Sequence, residues 1–189
     1  GNGVFILEQL SAGTSRIFQW DAAADNFVNI NNNTQIGSGE IGRINLDVVM
    51  VNDTLRMYSY NDAQEFYKSN DLGQTWELQS ILPINPWEVG VYIVPSNPKN
   101  VILGGVNAYR SNNGGQNWQI VNEWWEYYQN TTTKLHADIM SFEEYNDSAG
   151  EPFMLINNHG GISMSRNYGK DNVNIGLYGL NTAQYYDVR

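Results

Sequence analysis

The chain has 189 residues, of which 41% are hydrophobic, 16% charged and 13% aromatic, and it carries a net charge of −10. So acidic a chain has no basic patch to neutralise phosphates, which argues against nucleic acid and against an anionic membrane surface as partners. No apolar run approaches the roughly 20 residues that span a bilayer, so direct membrane insertion is not expected, and the lack of Cys excludes disulfides, thiolate metal sites and Cys nucleophiles.

Short apolar runs divided by Gly, Asn and Asp predict strands and turns. The first strand is expected over residues 4–10, directly after Gly1-Asn2-Gly3. No leader peptide is visible, and the start reads as a processing boundary. A polar turn follows at 20–27. Strands are then expected at 43–50, 55–60, 65–69 and 75–79, at 89–94, 101–106, 108–111 and 117–121, and at 137–142, 153–157, 161–165 and 173–177. A last strand is expected at 183–188.

A turn sequence recurs through this series. Ser69-Asn70-Asp71-Leu72-Gly73-Gln74-Thr75-Trp76 has a near-copy in Ser111-Asn112-Asn113-Gly114-Gly115-Gln116-Asn117-Trp118 and a weaker one in Ser165-Arg166-Asn167-Tyr168-Gly169-Lys170-Asp171-Asn172. The stretch from Trp20 to Phe27 keeps only a polar turn and a closing aromatic. The copies start at residues 20, 69, 111 and 165, close to the ~40–50-residue period of propeller blades. Their residue types suit a tight hairpin. An Asx side chain bonds nearby N–H groups, a Gly accepts positive φ, and Ser or Thr hydroxyls add local bonds. The closing Trp begins the next strand and buries on the order of 150–250 Å². Such a unit is a structural device rather than a catalytic one.

Four strands per repeat is the make-up of one blade. The expected fold is therefore all-β: propeller blades of four antiparallel strands, over residues 1–37 (partial), 38–84, 85–130 and 131–180, with the first strand of a further blade at 181–189. The two ends are out of phase, a second strand at 4–10 and a first strand at 183–188. They could complete one shared blade in a four-bladed ring. The preferred expectation is an incomplete, roughly four-blade part of a larger propeller.

Residues 69–76 match Ser-x-Asp-x-Gly-x-Thr-Trp, and the chain resembles the Asp-box, or BNR-repeat, propellers. The stretches His136-Ala137-Asp138-Ile139, Asn158-His159-Gly160-Gly161-Ile162 and Gly179-Leu180-Asn181-Thr182-Ala183-Gln184-Tyr185-Tyr186 are similar to a block shared by sortilin-type propellers and xyloglucanase-type glycoside hydrolases. The resemblance implies a secreted or cell-surface protein of Bacteroidetes-like bacteria and propellers of six or more blades. One departure concerns His159-Gly160-Gly161, where the family usually has Asp-Gly-Gly.

In a propeller the repeated turns and the strand one-to-two turns share one face. The strand two-to-three loops and the longer connections at 31–41, 81–88 and 122–135 share the other, and variable loops on a rigid scaffold tend to carry function. That second face is expected to hold Trp87, Trp124, Trp125, Tyr127, Tyr128 and His159 as ligand-binding residues. The four rings between 124 and 128 suit stacking of sugars or anchoring of a protein; the alternative is that some plug the groove between blades. His136, Asp138 and His159 could serve in acid–base chemistry or as metal ligands, or could be a hydrogen-bonded polar plug. Two His and one Asp fall one ligand short of a closed zinc site, and no metal or cofactor is expected. For glycoside hydrolysis the candidate carboxylates are Asp138 and Asp47, which would have to lie ~5–9 Å apart. A sialidase needs an Arg triad, and of the available arginines Arg110 and Arg166 fall at the repeated turns, on the wrong face. Binding of a protein or polysaccharide is favoured over catalysis, with other domains of the parent chain as further partners.

Overall fold

The computed structural model describes residues 4–10, 14–37, 42–84 and 90–178. The expected strand at 183–188, the block at 179–186 and Trp87 lie outside them. Every strand pairing among the described residues is antiparallel, and the chain divides into two units, Gly1–Ile84 and Asn85–Arg189.

The first unit contains a three-stranded sheet, β1 (Phe5–Gln9), β2 (Ser15–Asp21) and β3 (Asn26–Asn29). Beside it in sequence is a four-stranded sheet of β4 (Ile44–Val51), β5 (Thr54–Asn61), β6 (Glu65–Ser69) and β7 (Glu77–Ile81). β5 is the buried centre: Met57, Tyr58, Ser59, Tyr60 and Asn61 are all buried, so both of its faces are covered. Its hairpin with β4 turns on Asn52 and Asp53, both at positive φ, the two-residue turn whose twist suits paired strands. Ile36 and Ile44 form a core against which Leu7, Tyr67 and Trp76 pack. Burial, with Glu65 beside it, pushes the Tyr67 hydroxyl up to about 12.

The second unit repeats the plan. One sheet holds β8 (Gly90–Ile93), β9 (Val101–Gly104), β10 (Ala108–Ser111) and β11 (Gln119–Asn122). The other holds β12 (Ile139–Asn146), β13 (Pro152–Asn158), β14 (Gly161–Ser165) and β15 (Val173–Asn174). Val94, Ile102, Ala108, Leu135, Ile139, Phe142, Met154 and Ile156 make its core. Each large apolar side chain so buried contributes about 1.5–3 kcal/mol.

The three copies of the repeated turn share one bonding scheme. Ser69 Oγ donates to Asp71 Oδ1 at 2.7 Å and accepts from Gly73 N at 2.9 Å, and Asp71 Oδ1 accepts from Thr75 N at 2.9 Å. Ser111, Asn113, Gly115 and Asn117 repeat it at 2.8, 2.9 and 3.0 Å. Ser165, Asn167, Gly169 and Asp171 repeat it at 3.2, 2.8 and 2.8 Å. In each the fourth and fifth residues have positive φ: Leu72 and Gly73, Gly114 and Gly115, Tyr168 and Gly169. Within each unit the second sheet's turn also grips the first sheet. Gln74 donates to Ile30 O and accepts from Thr34 Oγ1; Tyr168 packs on the second core and its hydroxyl meets Ser96 Oγ at 3.1 Å.

The reduced fourth copy keeps its reading, and two expectations are corrected. The Trp20–Phe27 stretch is a plain hairpin in which Asp21 Oδ1 accepts from Ala23 N and Ala24 N, with a Trp20–Phe27 ring contact across the strands. It lacks the Ser hydroxyl that organises the other three. The strand expected at 173–177 stops at Asn174, whose side chain accepts from Gly176 N and starts a 3-10 turn over Ile175–Leu177. β7 and β11 begin two residues later than expected, because the residue at the seventh position is bonded into the turn.

Candidate functional site

In the second unit the β9–β10 turn, the β13–β14 turn and the long connection from β11 to β12 meet at one end. Trp124 N donates to Asn107 Oδ1 at 2.8 Å, Asp138 N to Val106 O at 3.2 Å, Ile139 N to Gly105 O at 2.8 Å and His159 N to Ala137 O at 3.2 Å. The connection is thereby tied to both reverse turns. This end collects all of the sequence-predicted ligand-binding residues that lie within the described part of the chain.

The connection is closed at its base by Asn122, which is buried. Its Nδ2 donates to Leu135 O and its Oδ1 accepts from Leu135 N, both at 3.0 Å. In the first unit Asn31 makes a similar pair of bonds, but back to β2, accepting from Ile17 N at 2.7 Å and donating to Ser15 O at 3.1 Å. These amides replace the backbone pairing that a loop lacks.

Between these ties Trp124–Tyr128 form a 3-10 turn. Glu126 braces it, its Oε1 accepting from Glu123 N at 2.9 Å while its own N–H donates to Glu123 O at 3.0 Å. Lys134 pairs with Glu126 at 2.5 Å across the connection. The Lys134 bond, then that of the Glu123 N–H, holds the Glu126 carboxyl below the ordinary Glu range. Asn107 Nδ2 donates to Glu123 Oε2 at 2.9 Å. Sequence reasoning passed over Asn107, Asn122, Glu123, Glu126 and Lys134; the three-residue spacing of Glu123 and Glu126 was the available signal.

The braced turn shows its rings to solvent. Trp124, Trp125 and Tyr128 are 38%, 48% and 65% exposed, and Tyr127 is partly buried. Trp124 contacts Trp125 and Tyr128 edge to face, with centroids 6.0 and 6.1 Å apart. Tyr127 meets His136 at 4.8 Å, and Tyr128 OH lies 3.0 Å from His136 Nε2. His136 Nδ1 is 3.3 Å from Ala137 O; a neutral imidazole protonated at Nδ1 donates there and accepts from Tyr128. The would-be Cβ of Gly160 falls 2.6 Å from His136 Cβ, so a side chain at 160 cannot be seated against it.

Beside this cluster His159 Nδ1 lies 2.9 Å from Asp138 Oδ2, both side chains about one-fifth exposed. Asp138 has a φ of 61°, a left-handed conformation that Asp tolerates better than most residues. His136 and His159 therefore bond to different partners, Tyr128 and Asp138, and no three-ligand metal cluster occurs among the described residues. The pair fixes the imidazole and leaves Nε2 available as an acceptor, a geometry suited to orienting a ligand or a proton.

Asp47 lies on β4 of the first unit. Its Oδ1 accepts from Val48 N at 2.8 Å, and it borders a groove of about 420 Å³ lined by Phe5, Leu7 and Ile44. Of the arginines at the repeated turns, Arg110 bonds Gln119 and Arg166 pairs with Asp147 at 2.9 Å and covers the Phe153 ring. No described helix is long and apolar enough to cross a membrane.

No protein-family model matches the chain, and no curated protein does. Among solved structures it is similar to the GH74 enzyme of Niastella koreensis, with a TM-score of 0.56 and 15% identity over 87% of this chain and 22% of that one. BBS1N, solved in complex with ARL6DN, gives 0.49 and 14% over 86% and 47%. YCF48 bound to D1 peptide gives 0.47 and 11% over 85% and 53%. The chain thus spans between about a fifth and about half of the structures it resembles. The first likeness shows the fold: the chain is all-β and built of β-propeller blades.

Proposed function

We propose that the chain belongs to a binding or scaffold propeller of a secreted or cell-surface protein, whose ligand face is the loop end of the second unit. The repeated turns are read as Asp-boxes of the kind found in sortilin-type propellers, with a structural role. The observation that carries the binding reading is the exposed cluster of Trp124, Trp125 and Tyr128 on a turn braced at Glu123, Glu126 and Lys134. Exposed aromatics on a rigid support are the residues that dominate recognition surfaces, because few rotamers are lost when they are covered. The ligand is a protein or a polysaccharide, and no cofactor is called for. Fold alone carries no activity. The test is binding of the chain to peptide and glycan arrays, with Trp124→Ala/Trp125→Ala as the comparison. Ligands held by the native protein are expected to be lost by the variant; equal capture by both would move the ligand face elsewhere.

A second reading, a fragment of a xyloglucanase-like glycoside hydrolase, draws on the Asp138 carboxylate set by His159 beside aromatic rings. It is tested by hydrolysis of xyloglucan and mixed β-glucans by the complete protein, native against Asp138→Ala. Activity lost in the variant would favour the enzyme, and no activity in either removes it.

A further inference from the structure

Resting on the reading of this end as the ligand face, we infer that its occupant is a cationic side chain, arginine or lysine, of a partner polypeptide. Ring orientation is the first argument. Trp124 stands at 85° to Trp125 and 87° to Tyr128, and Tyr127 at 82° to Tyr128. A sugar chain stacks on rings that lie flat in a row. Perpendicular rings offer no such row, whereas a compact cation needs only one exposed electron-rich face.

Charge is the second argument. The stretches 105–107, 122–138 and 158–161 contain one Lys or Arg, Lys134. It is already bound to Glu126. Glu123 and Asp138 remain, held by the neutral Asn107 amide and by the His159 imidazole. Asn107 also receives the backbone N–H of Trp124 through its Oδ1, so one amide holds both the Glu123 carboxylate and the main chain that carries the Trp124 ring. A cation seated there gains an ion pair and a ring contact without reorganising either group. The −10 charge of the chain steers such a partner toward it.

The experiment is a Trp-fluorescence titration of the full chain at pH 8. The probes are an acetylated, amidated Gly-Arg-Gly-Arg-Gly peptide, its citrulline counterpart, and neutral cello- and xyloglucan oligosaccharides. The arginine peptide is expected to bind saturably, about tenfold tighter than the citrulline peptide, and to weaken in high salt. Glu123→Gln/Asp138→Asn, which keeps both shapes, is expected to lower its affinity about tenfold at an unchanged melting temperature. Equal binding of the two peptides, or an unaffected double variant, overturns the inference. Oligosaccharide binding without peptide binding also overturns it, but leaves the ligand face standing. Failure of every probe to perturb the fluorescence counts against both.

Discussion

His159 Nδ1 meets Asp138 Oδ2 at 2.9 Å, joining the β13–β14 turn to the start of β12. Asp138 reaches this position with a left-handed backbone, held by its own N–H bonding Val106 O. Such a φ costs most residues about 1–2 kcal/mol, and Asn shares the tolerance of Asp. Asp138→Asn is therefore expected to leave stability nearly unchanged. Asp138→Ala loses both the tolerance and the His159 bond, and is expected to destabilise by about 1–2 kcal/mol. Urea unfolding of the two variants checks the difference.

Asn122 closes the base of the β11–β12 connection. Asn122→Ala leaves the N–H and C=O of buried Leu135 without partners. At about 1–3 kcal/mol per orphaned group, a loss of about 2–6 kcal/mol is expected. Amide hydrogen exchange should rise through residues 123–135 before it rises in β9 or β13.

Gly73 and Gly169 occupy the same place in two turns, at φ 78° and 80°. A Cβ at Gly73 would lie 2.7 Å from Ile17 Cδ1, whereas one at Gly169 would meet Val121 Cγ2 at an ordinary 3.5 Å. Gly169→Ala is expected to cost about 1 kcal/mol from backbone strain alone. Gly73→Ala should cost more, by the energy of displacing Ile17. Paired melting temperatures would show whether the order holds.

Asp71 is the one carboxylate among the three Ser-organised turns' central positions; Asn113 and Asn167 do not titrate. Desolvation raises its pKa, but bonds from the Thr75 hydroxyl and N–H and from Ser69 outweigh this and leave it below the ordinary value. A depressed carboxyl gives stability that is complete above the unfolded-state pKa, about 4, and is lost as pH falls through the folded value. Asp71→Asn is expected to flatten the acid side of the stability profile without abolishing the turn. An acid limb as steep as the native one would show that the Asp71 bonds contribute nothing.

Most of the fold was legible because its signals are local. The Ser-x-Asx-x-Gly turn fixes a hairpin through bonds within a few residues, and β9 declares itself as an apolar run. The fourth positive-φ position was not legible at Leu72 or Tyr168, since neither residue signals it. The strand ends were blurred where side chains displaced ladder bonds, as Asn174 does before Gly176. The candidate site was legible as a set of unusual aromatics, but not as a geometry. Nothing local marks Asn107, Asn122 or Lys134, and only long-range bonds show that they brace the Trp124–Tyr128 turn. The pairing of His159 with Asp138 rather than His136 depends on which turns meet, which no spacing in the sequence encodes.

The central claim is that the 3-10 turn at Trp124–Tyr128 is the ligand surface. It is tested most directly by profiling the native protein and Trp124→Ala/Trp125→Ala in parallel against peptides and glycans, with circular dichroism to verify the fold. The account expects the ligands of the native protein to disappear from the folded variant's profile. The same ligands captured equally by both would contradict it.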